Sequence, residues 1–250
     1  MNFKPSTSNE FTVEGMSALA EFVRHKPSSI KRIFSTPKYK DKVTALVGKL
    51  DIPVKIVEDR PSSDERPTSP VYASVEIHYQ SFSNLLSILG KSKQDQLVLA
   101  LDHITDPRNL GAIARSAAFF GVKYILIPKM RQVLLTPASV ATSQGAFAFS
   151  ELVLVPNLGQ ALEKLKEEGF WVICADAKGE KFEKVIGEYQ KVVLLLGSED
   201  KGVSELLKKR SDRVVSISTD TQTLDSLNVS VAAGILLNGF AKHQVPHSNS

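Results

Sequence analysis

A single cysteine, a single tryptophan and five scattered histidines are all that 250 residues offer of the side chains that most often bind metals or form cross-links. One thiol excludes an internal disulfide framework and argues against a thiolate metal centre. Cys174 sits in the apolar run FWVICA and reads as a small buried hydrophobe. The histidines show no ligand spacing, so no metal is expected. No apolar run approaches the roughly 18 residues of a membrane-crossing helix, so no membrane partner is expected. The first fifteen residues are polar and lack the apolar stretch of a secretory signal, so the default expectation is a cytoplasmic location. The common nucleotide and hydrolase signatures are also missing. LVLAL is followed by DHITDPRN rather than by G-x-G-x-x-G, and no G-x-x-x-x-G-K-[ST], H-E-x-x-H or G-x-S-x-G occurs.

What is present is an ordinary globular composition, 42% hydrophobic and 23% charged, with a net charge of +4. The charge is uneven. Between residues 22 and 50 eight Lys or Arg face one acid, Asp41. Such a cluster is either a solvated face or a phosphate-binding surface. Arg24, Lys26, Lys31, Arg32, Lys38 and Lys40 are the candidate RNA-binding residues.

The patterning divides the chain. Residues 1–10 and 242–250 are polar and expected to be loose tails. Residues 11–77 read as a small α/β unit: helix in EGMSALAEFVRHK, strand in IKRIFST, helix in KDKVTALVGKL, then strands in VKIVE and VYASVEI. The Pro- and Ser-rich stretch 59–70 reads as an exposed loop. Residues 78–96 form a linker with a short helix around NLLSILG. From 97 to 241 short continuous apolar runs (LVLAL, YILI, LVLV, FWVICA, VVLLL, VVSI) alternate with helical segments. Runs without polar alternation suit strands buried on both faces of a parallel sheet. The fold class is therefore α/β, with a larger parallel-sheet domain after a small α/β unit.

Three polar corners interrupt this apolar texture, each where a strand gives way to a helix. Ligands in open parallel sheets sit outside the carboxyl ends of the strands. At DPRNLGAIARSA, Asn109 can cap the helix, Gly111 leaves room for a ligand or a neighbouring backbone, and Arg115 is the one charge in an otherwise small or apolar helix. Burying that charge unpaired would cost several kcal/mol, so it wants an anionic partner, and a guanidinium forks well onto phosphate. At LLGSEDKG, Gly197 opens a loop in which Glu199 and Asp200 serve a ligand or simply favour a helix N-terminus. At LDSLNVSVAA, Asp225 or Ser226 can cap the last helix, and Asn228 adds a further polar group.

Taken in order, NLGAIAR, GSEDKG and SLNVSVA resemble the three motifs of the SPOUT superfamily, specifically the SpoU/TrmH-type RNA 2′-O-ribose methyltransferases. The likeness covers about 97–241, and the N-terminal unit resembles the ribosomal-protein-like domain that precedes it in rRNA methylases. The resemblance implies S-adenosyl-L-methionine as cofactor, a C-terminal trefoil knot, and a homodimer formed through the C-terminal domain. It assigns Asn109, Arg115, Glu199, Ser226 and Asn228 to the polar catalytic set. It places the cofactor near Leu196, Gly197, Ser198, Gly202, Ile217 and Leu227. It implies an RNA substrate, ribosomal RNA ahead of tRNA, with a tRNA methylase, a base methylase or a knotted RNA-binding protein without catalysis as alternatives. Three departures from the family pattern stand out: the loop STDTQTLDS lacks Met-x-Gly, Gln144 replaces a small residue, and residues 62–72 lack the His-Gln-Gly stretch common in the N-terminal domain's loop.

Overall fold

In the computed structural model the described residues are 9–58, 67–91, 96–217 and 226–244. The first unit is built from β1 (Glu10–Glu14), α1 (Met16–His25), β2 (Ile30–Ser35), α2 (Lys40–Val47), β3 (Val54–Ile56) and β4 (Val71–Glu76). The strands lie in the order β1-β4-β2-β3. β4 runs antiparallel to both of its neighbours, and β3 runs parallel to β2. Along β4, buried Val71, Ala73 and Val75 alternate with half-exposed Tyr72, Ser74 and Glu76. That period of two marks a sheet covered on one side. Both crossovers, β1-α1-β2 and β2-α2-β3, step toward the same edge, so right-handed connections place α1 and α2 on the same face. Leu19, Phe22 and Val43 from those helices share one buried cluster with Ile33, Ala73 and Val75.

The second unit is a seven-stranded sheet, and every pairing in it is parallel. Its elements are β5 (Gln80–Ser81), α3 (Phe82–Leu89), β6 (Gln96–Asp102), α4 (Pro107–Phe119), β7 (Tyr124–Pro128), α5 (Pro137–Ser143), β8 (Glu151–Val155), α6 (Leu158–Glu167), β9 (Trp171–Lys181), β10 (Lys191–Gly197), α7 (Glu205–Arg210), β11 (Arg213–Ser216) and α8 (Val229–Gln244). The order is β11-β9-β10-β6-β7-β8-β5. Both faces are covered, as the uninterrupted apolar runs require. Leu99 and Leu101 of β6 join the cluster that holds Ile113 of α4 and Leu237 of α8. Val98 and Ala100 point the other way, into the cluster with Leu85 of α3, Leu162 of α6 and Leu207 of α7. Burying a leucine or isoleucine contributes about 1.5–3 kcal/mol, against about 0–1 kcal/mol for an exposed ion pair such as Arg24–Glu21. The apolar layers, not the surface charges, hold the fold.

Several boundaries differ from expectation. The segment 78–96 is more than a linker: β5 pairs with β8, and Leu85 and Leu89 of α3 are core residues of the large sheet. The expected N-terminal tail ends in structure, because Glu10 begins β1 and the Asn9 carbonyl accepts the Ile77 N–H at 2.8 Å. At the other end α8 continues to Gln244. Residues 1–8, 245–250 and most of the loop 59–70 lie outside the described residues.

The small sheet is joined to the large unit through α1 and the segment after α5. Gly145, at φ +92°, lies so near α1 that a Cβ there would come within 2.9 Å of the Ala18 backbone. Gln144 ends α5 in the left-handed conformation (φ 50°), and its Nε2 donates to the Ala141 carbonyl at 2.9 Å.

Candidate active site

The three polar corners meet around one carboxylate. Asp106, not Asn109, caps α4: its Oδ1 accepts the Arg108 N–H at 2.7 Å, and Pro107 occupies the first helical position, where its missing N–H costs nothing. Asn109 is thereby left one turn inside the helix with its side chain free for tertiary contacts. Its Nδ2 donates to Glu199 Oε1 at 3.0 Å, and its Oδ1 accepts from Asn228 Nδ2 at 3.2 Å. Asn228 Nδ2 also donates to Glu199 Oε1. The Val229 N–H, at the start of α8, reaches the same oxygen at 3.3 Å. A carboxylate in front of a helix N-terminus is electrostatically favoured there.

The cap of α8 is Asn228, rather than the expected Asp225 or Ser226. Its Oδ1 accepts from the Ser230 N–H at 2.9 Å and from Ser230 Oγ at 2.5 Å, and its carbonyl accepts the Val231 and Ala232 N–H groups. Ser226 is exposed. Asp225 lies outside the described residues, as does the whole loop 218–225.

Arg115 contradicts the burial argued from its apolar helix. Leu110, Gly111, Ile113, Ala114 and Ala117 are the buried face of α4, and Arg115 lies on the exposed side. Among the described residues it forms no ion pair or hydrogen bond. It stands six residues beyond Asn109, about 9 Å along the helix axis. Glu199 therefore orders Asn109 and Asn228, not Arg115, and the guanidinium is exposed, with no partner among the described residues. Gly111 accommodates backbone rather than a ligand: a Cβ there would lie 2.4 Å from the Ser139 carbonyl oxygen of α5.

The residues expected around a cofactor lie at the carboxyl ends of β10 and β11 and, with Leu227, just before α8. After Gly197 the chain folds back on itself through a bridge between Ser198 and Gly202. A Cβ on Gly197 would sit 2.1 Å from the backbone of Gly202 and Val203, so the loop can close only over glycine. Gly202 has φ +62°, a conformation that favours glycine. Beside it, β9 and β11 lose register between Val214 and Val215, and residues 175–179 loop outward. A Cβ on Gly179 would meet the Val215 backbone at 2.5 Å, and Ser216 Oγ donates to the Gly179 carbonyl at 2.8 Å. Arg213, before the irregularity, grips Glu180, beyond it, with two hydrogen bonds at 2.7 and 2.9 Å, and so ties the two strands across the bulge.

Two loops, 198–202 and 175–179, thus bring backbone groups to the end of the sheet that also carries two apolar side chains, half-buried Ile217 and Leu227, which is 44% exposed. Backbone donors and acceptors beside apolar cover suit an uncharged heteroaromatic base and its ribose, so the residues fit an adenosyl group. Leu196 is the exception. Its side chain is buried in the core, and only its backbone faces this end of the sheet.

Further residues shape this end of the sheet without having been expected. Asp102 is buried at the tip of β6; its Oδ2 accepts the Ser204 N–H at 2.9 Å and its Oδ1 lies 2.6 Å from Nδ1 of His103, itself at φ 62°. Asp176 Oδ2 lies 2.5 Å from Lys208 Nζ and faces Gly202. Burial alone would raise the Asp176 carboxyl, but hydrogen bonds from Lys208 and the Lys178 N–H bring it below its ordinary value. An acid at the end of an apolar strand, as in LVLALD and WVICAD, is the sequence signal for both. Burial pushes the Cys174 thiol up to about 12, which suits an unreactive core residue.

The basic cluster is dispersed. Arg24 is bonded to Glu21 at 2.9 Å, and Lys31 to Glu76 at 2.6 Å. Lys26 is half-buried beyond α1, and Lys38 and Lys40 are exposed around the start of α2. Arg32 projects from β2 onto the face of the small sheet opposite its helices, where it pairs with Ser74 in register. Among the described residues no group of three or more His, Cys, Asp or Glu is placed to hold a metal, and no helix is long and apolar enough to cross a membrane.

Comparison with known proteins places this arrangement. Residues 96–238 match the family described as the SpoU rRNA Methylase family. The chain is 32% identical over 233 residues to a 23S rRNA (guanosine-2′-O-)-methyltransferase RlmB of Coxiella burnetii, covering 90% of this chain and 93% of that one. An uncharacterized tRNA/rRNA methyltransferase of Mycolicibacterium vanbaalenii is 41% identical over 160 residues; the match covers 63% of this chain and about half of that longer relative, 51%. The fold is similar to that of the SpoU methyltransferase AviRb from Streptomyces viridochromogenes, solved in complex with the cofactor AdoMet, with a TM-score of 0.77 and 22% identity over 94% of this chain and 90% of that one. The family match spans more than half of the chain, and the Coxiella relative aligns over nearly its whole length: this protein belongs to the SpoU rRNA methylase family.

Proposed function

We propose that this protein is an S-adenosyl-L-methionine-dependent methyltransferase acting on a ribose 2′-hydroxyl of structured RNA, with ribosomal RNA ahead of tRNA. The observation that carries the reading is the convergence of Asn109, Asn228 and the N-terminus of α8 on Glu199. Three segments far apart in sequence are tied together at one carboxylate, beside the loops that suit an adenosyl group.

S-adenosyl-L-methionine, when bound, supplies a methyl group on a sulfonium centre. The backbone of Gly197, Ser198 and Gly202, with Leu196 contributing main chain alone, would hold it together with Ile217 and Leu227. The remaining task is alignment, because a methyl group offers no polar handle. Both polar ends of the Asn228 side chain are engaged, so its role is to position, as is that of Asn109. Ser226 is exposed at the same corner and would orient the ribose. Arg115, exposed and unpaired among the described residues, would clamp a phosphate and stabilise charge on the ribose oxygen. A guanidinium is a poor base, so the proton of the ribose hydroxyl would leave to water rather than to Arg115.

The reading includes a homodimer through the C-terminal domain and a trefoil knot in that domain. Asn109 touches Asn228, and seven residues further on Ser116 Oγ lies 3.7 Å from where a Cβ on Gly234 would be. The helices α4 and α8 therefore run side by side in the same direction. Of the small-residue stretch Ser230–Gly234, Ala233 is buried within the chain and Gly234 faces α4. What the two helices leave for a second copy is Phe119, 83% exposed, and Val231, 50% exposed.

Titration calorimetry with S-adenosyl-L-methionine and with its demethylated product should each give one site per chain. Light scattering of the same sample should give twice the mass of the chain. Absence of binding to either compound would overturn the cofactor assignment, and an active monomer would overturn the dimer.

A further inference from the structure

We propose that the open face of the small N-terminal sheet is a stacking platform for unpaired nucleotides of the RNA substrate, with Phe34 and Tyr72 receiving bases and Arg32 and Lys55 receiving phosphates. The proposal rests on the RNA reading above and deepens it by naming the surface and the form of RNA that it takes.

The face is defined by register. Phe34 of β2 lies opposite Tyr72 of β4, Arg32 lies opposite Ser74, and Lys55 of β3 lies opposite Phe34. Arg32, Phe34, Tyr72 and Ser74 alternate with the buried positions Ile33, Ala73 and Val75, so they project away from α1 and α2, and Lys55 shares their face through its register with Phe34. The two rings stack at 4.7 Å between centroids, 10° from parallel. Each is half-buried, and neither belongs to the apolar clusters that hold the fold or packs against them. An aromatic pair standing outside the core on an otherwise polar sheet face is the arrangement on which single-stranded RNA-binding sheets stack bases.

The charges on this face sort the same way. Its acids are engaged by the protein itself. Glu14 Oε2 accepts the N–H groups of Thr68 and Ser69 at 2.9 and 3.0 Å, Glu10 accepts from Ser74 Oγ, and Glu76 is paired with Lys31. Arg32 and Lys55, on the Phe34 side, are exposed and pair with no acid among the described residues. A base stacked on the outer face of Phe34 would have its phosphates next to two cations. The rival role for the rings is a cross-strand pair that only steadies the sheet, worth about 0.2–1 kcal/mol.

The test uses the full chain and a fluorescent single-stranded RNA oligonucleotide, with anisotropy followed over a range of salt. Phe34→Leu and Tyr72→Leu keep apolar volume in the strand and remove the rings. Each should weaken binding about five- to tenfold, the lower end of what loss of one stacked base costs, and leave the salt slope unchanged. Arg32→Gln should lower that slope by about 0.7. S-adenosyl-L-methionine affinity should be unaltered in all three. Unchanged RNA affinity in the doubly substituted, folded protein would overturn the platform while leaving the methyltransferase reading intact, and so would preference for a duplex over the single strand. If the unsubstituted protein binds cofactor but no RNA of either form, both readings fall together.

Discussion

Arg115→Ala is expected to lower methyl transfer by at least about a hundredfold while the melting temperature moves by less than about 2 °C. The rate loss is of the size seen when one preorganised donor is removed from a site of developing negative charge. The small stability change follows from exposure: the side chain makes no ion pair or hydrogen bond among the described residues, and α4 buries its other face. Cofactor affinity measured by calorimetry should stay within about twofold. A variant with full turnover would remove Arg115 from the chemistry. One that unfolds would show that the arginine serves the fold. Arg115→Lys separates charge from geometry, because an ammonium keeps the charge but cannot fork onto phosphate.

The second large effect is expected at Glu199. Replacing it with Ala leaves three donors, Asn109 Nδ2, Asn228 Nδ2 and the Val229 N–H, without their shared acceptor. Because the cluster is partly open to water, the stability cost should be modest, about 1 kcal/mol, or about 2–4 °C in melting temperature for a chain of this size. The rate should fall further, by about a hundredfold, because the three corners lose their common register. Glu199→Gln should recover stability better than rate: its carbonyl can take the place of Oε1 and accept from all three donors, but the negative charge in front of α8 is gone. Equal activity of Glu199→Ala and the unsubstituted chain, in a steady-state methyl-transfer assay, would show that the network is structural decoration of the loop.

The large sheet was readable from the sequence because its strands are buried on both faces, and continuous apolar runs of four to six residues admit few other interpretations. The motif residues were readable as a set, but their local roles were not. Asn109 follows a Pro and an Asp, and the cap falls to whichever polar group has extended backbone before the first helical turn; that is Asp106. Arg115 lies in a run of small and apolar residues, yet a helix packed on one side only leaves a strip for it in water. β1 and β5 escaped notice because one is an exposed edge strand, EFTVE, and the other is two residues long, QS. The basic cluster at 22–50 was visible as composition, but pairing with Glu21 and Glu76 removes Arg24 and Lys31 from the free cations, and only the sheet register places Arg32 beside an aromatic pair. The approach of Gly197 to the backbone of Gly202 and Val203, which shapes the proposed cofactor loop, is a tertiary contact that spacing could not reveal.

The central claim is transfer of a methyl group to a ribose oxygen of RNA, and mass spectrometry of nucleosides tests it most directly. The purified protein would be incubated with isotopically labelled S-adenosyl-L-methionine and, in separate reactions, ribosomal RNA and tRNA from cells lacking the gene. The expected result is label in one 2′-O-methylated nucleoside, from ribosomal RNA, that disappears with Arg115→Ala. Label on a base, label in tRNA alone, or RNA and cofactor binding without any transfer would contradict it.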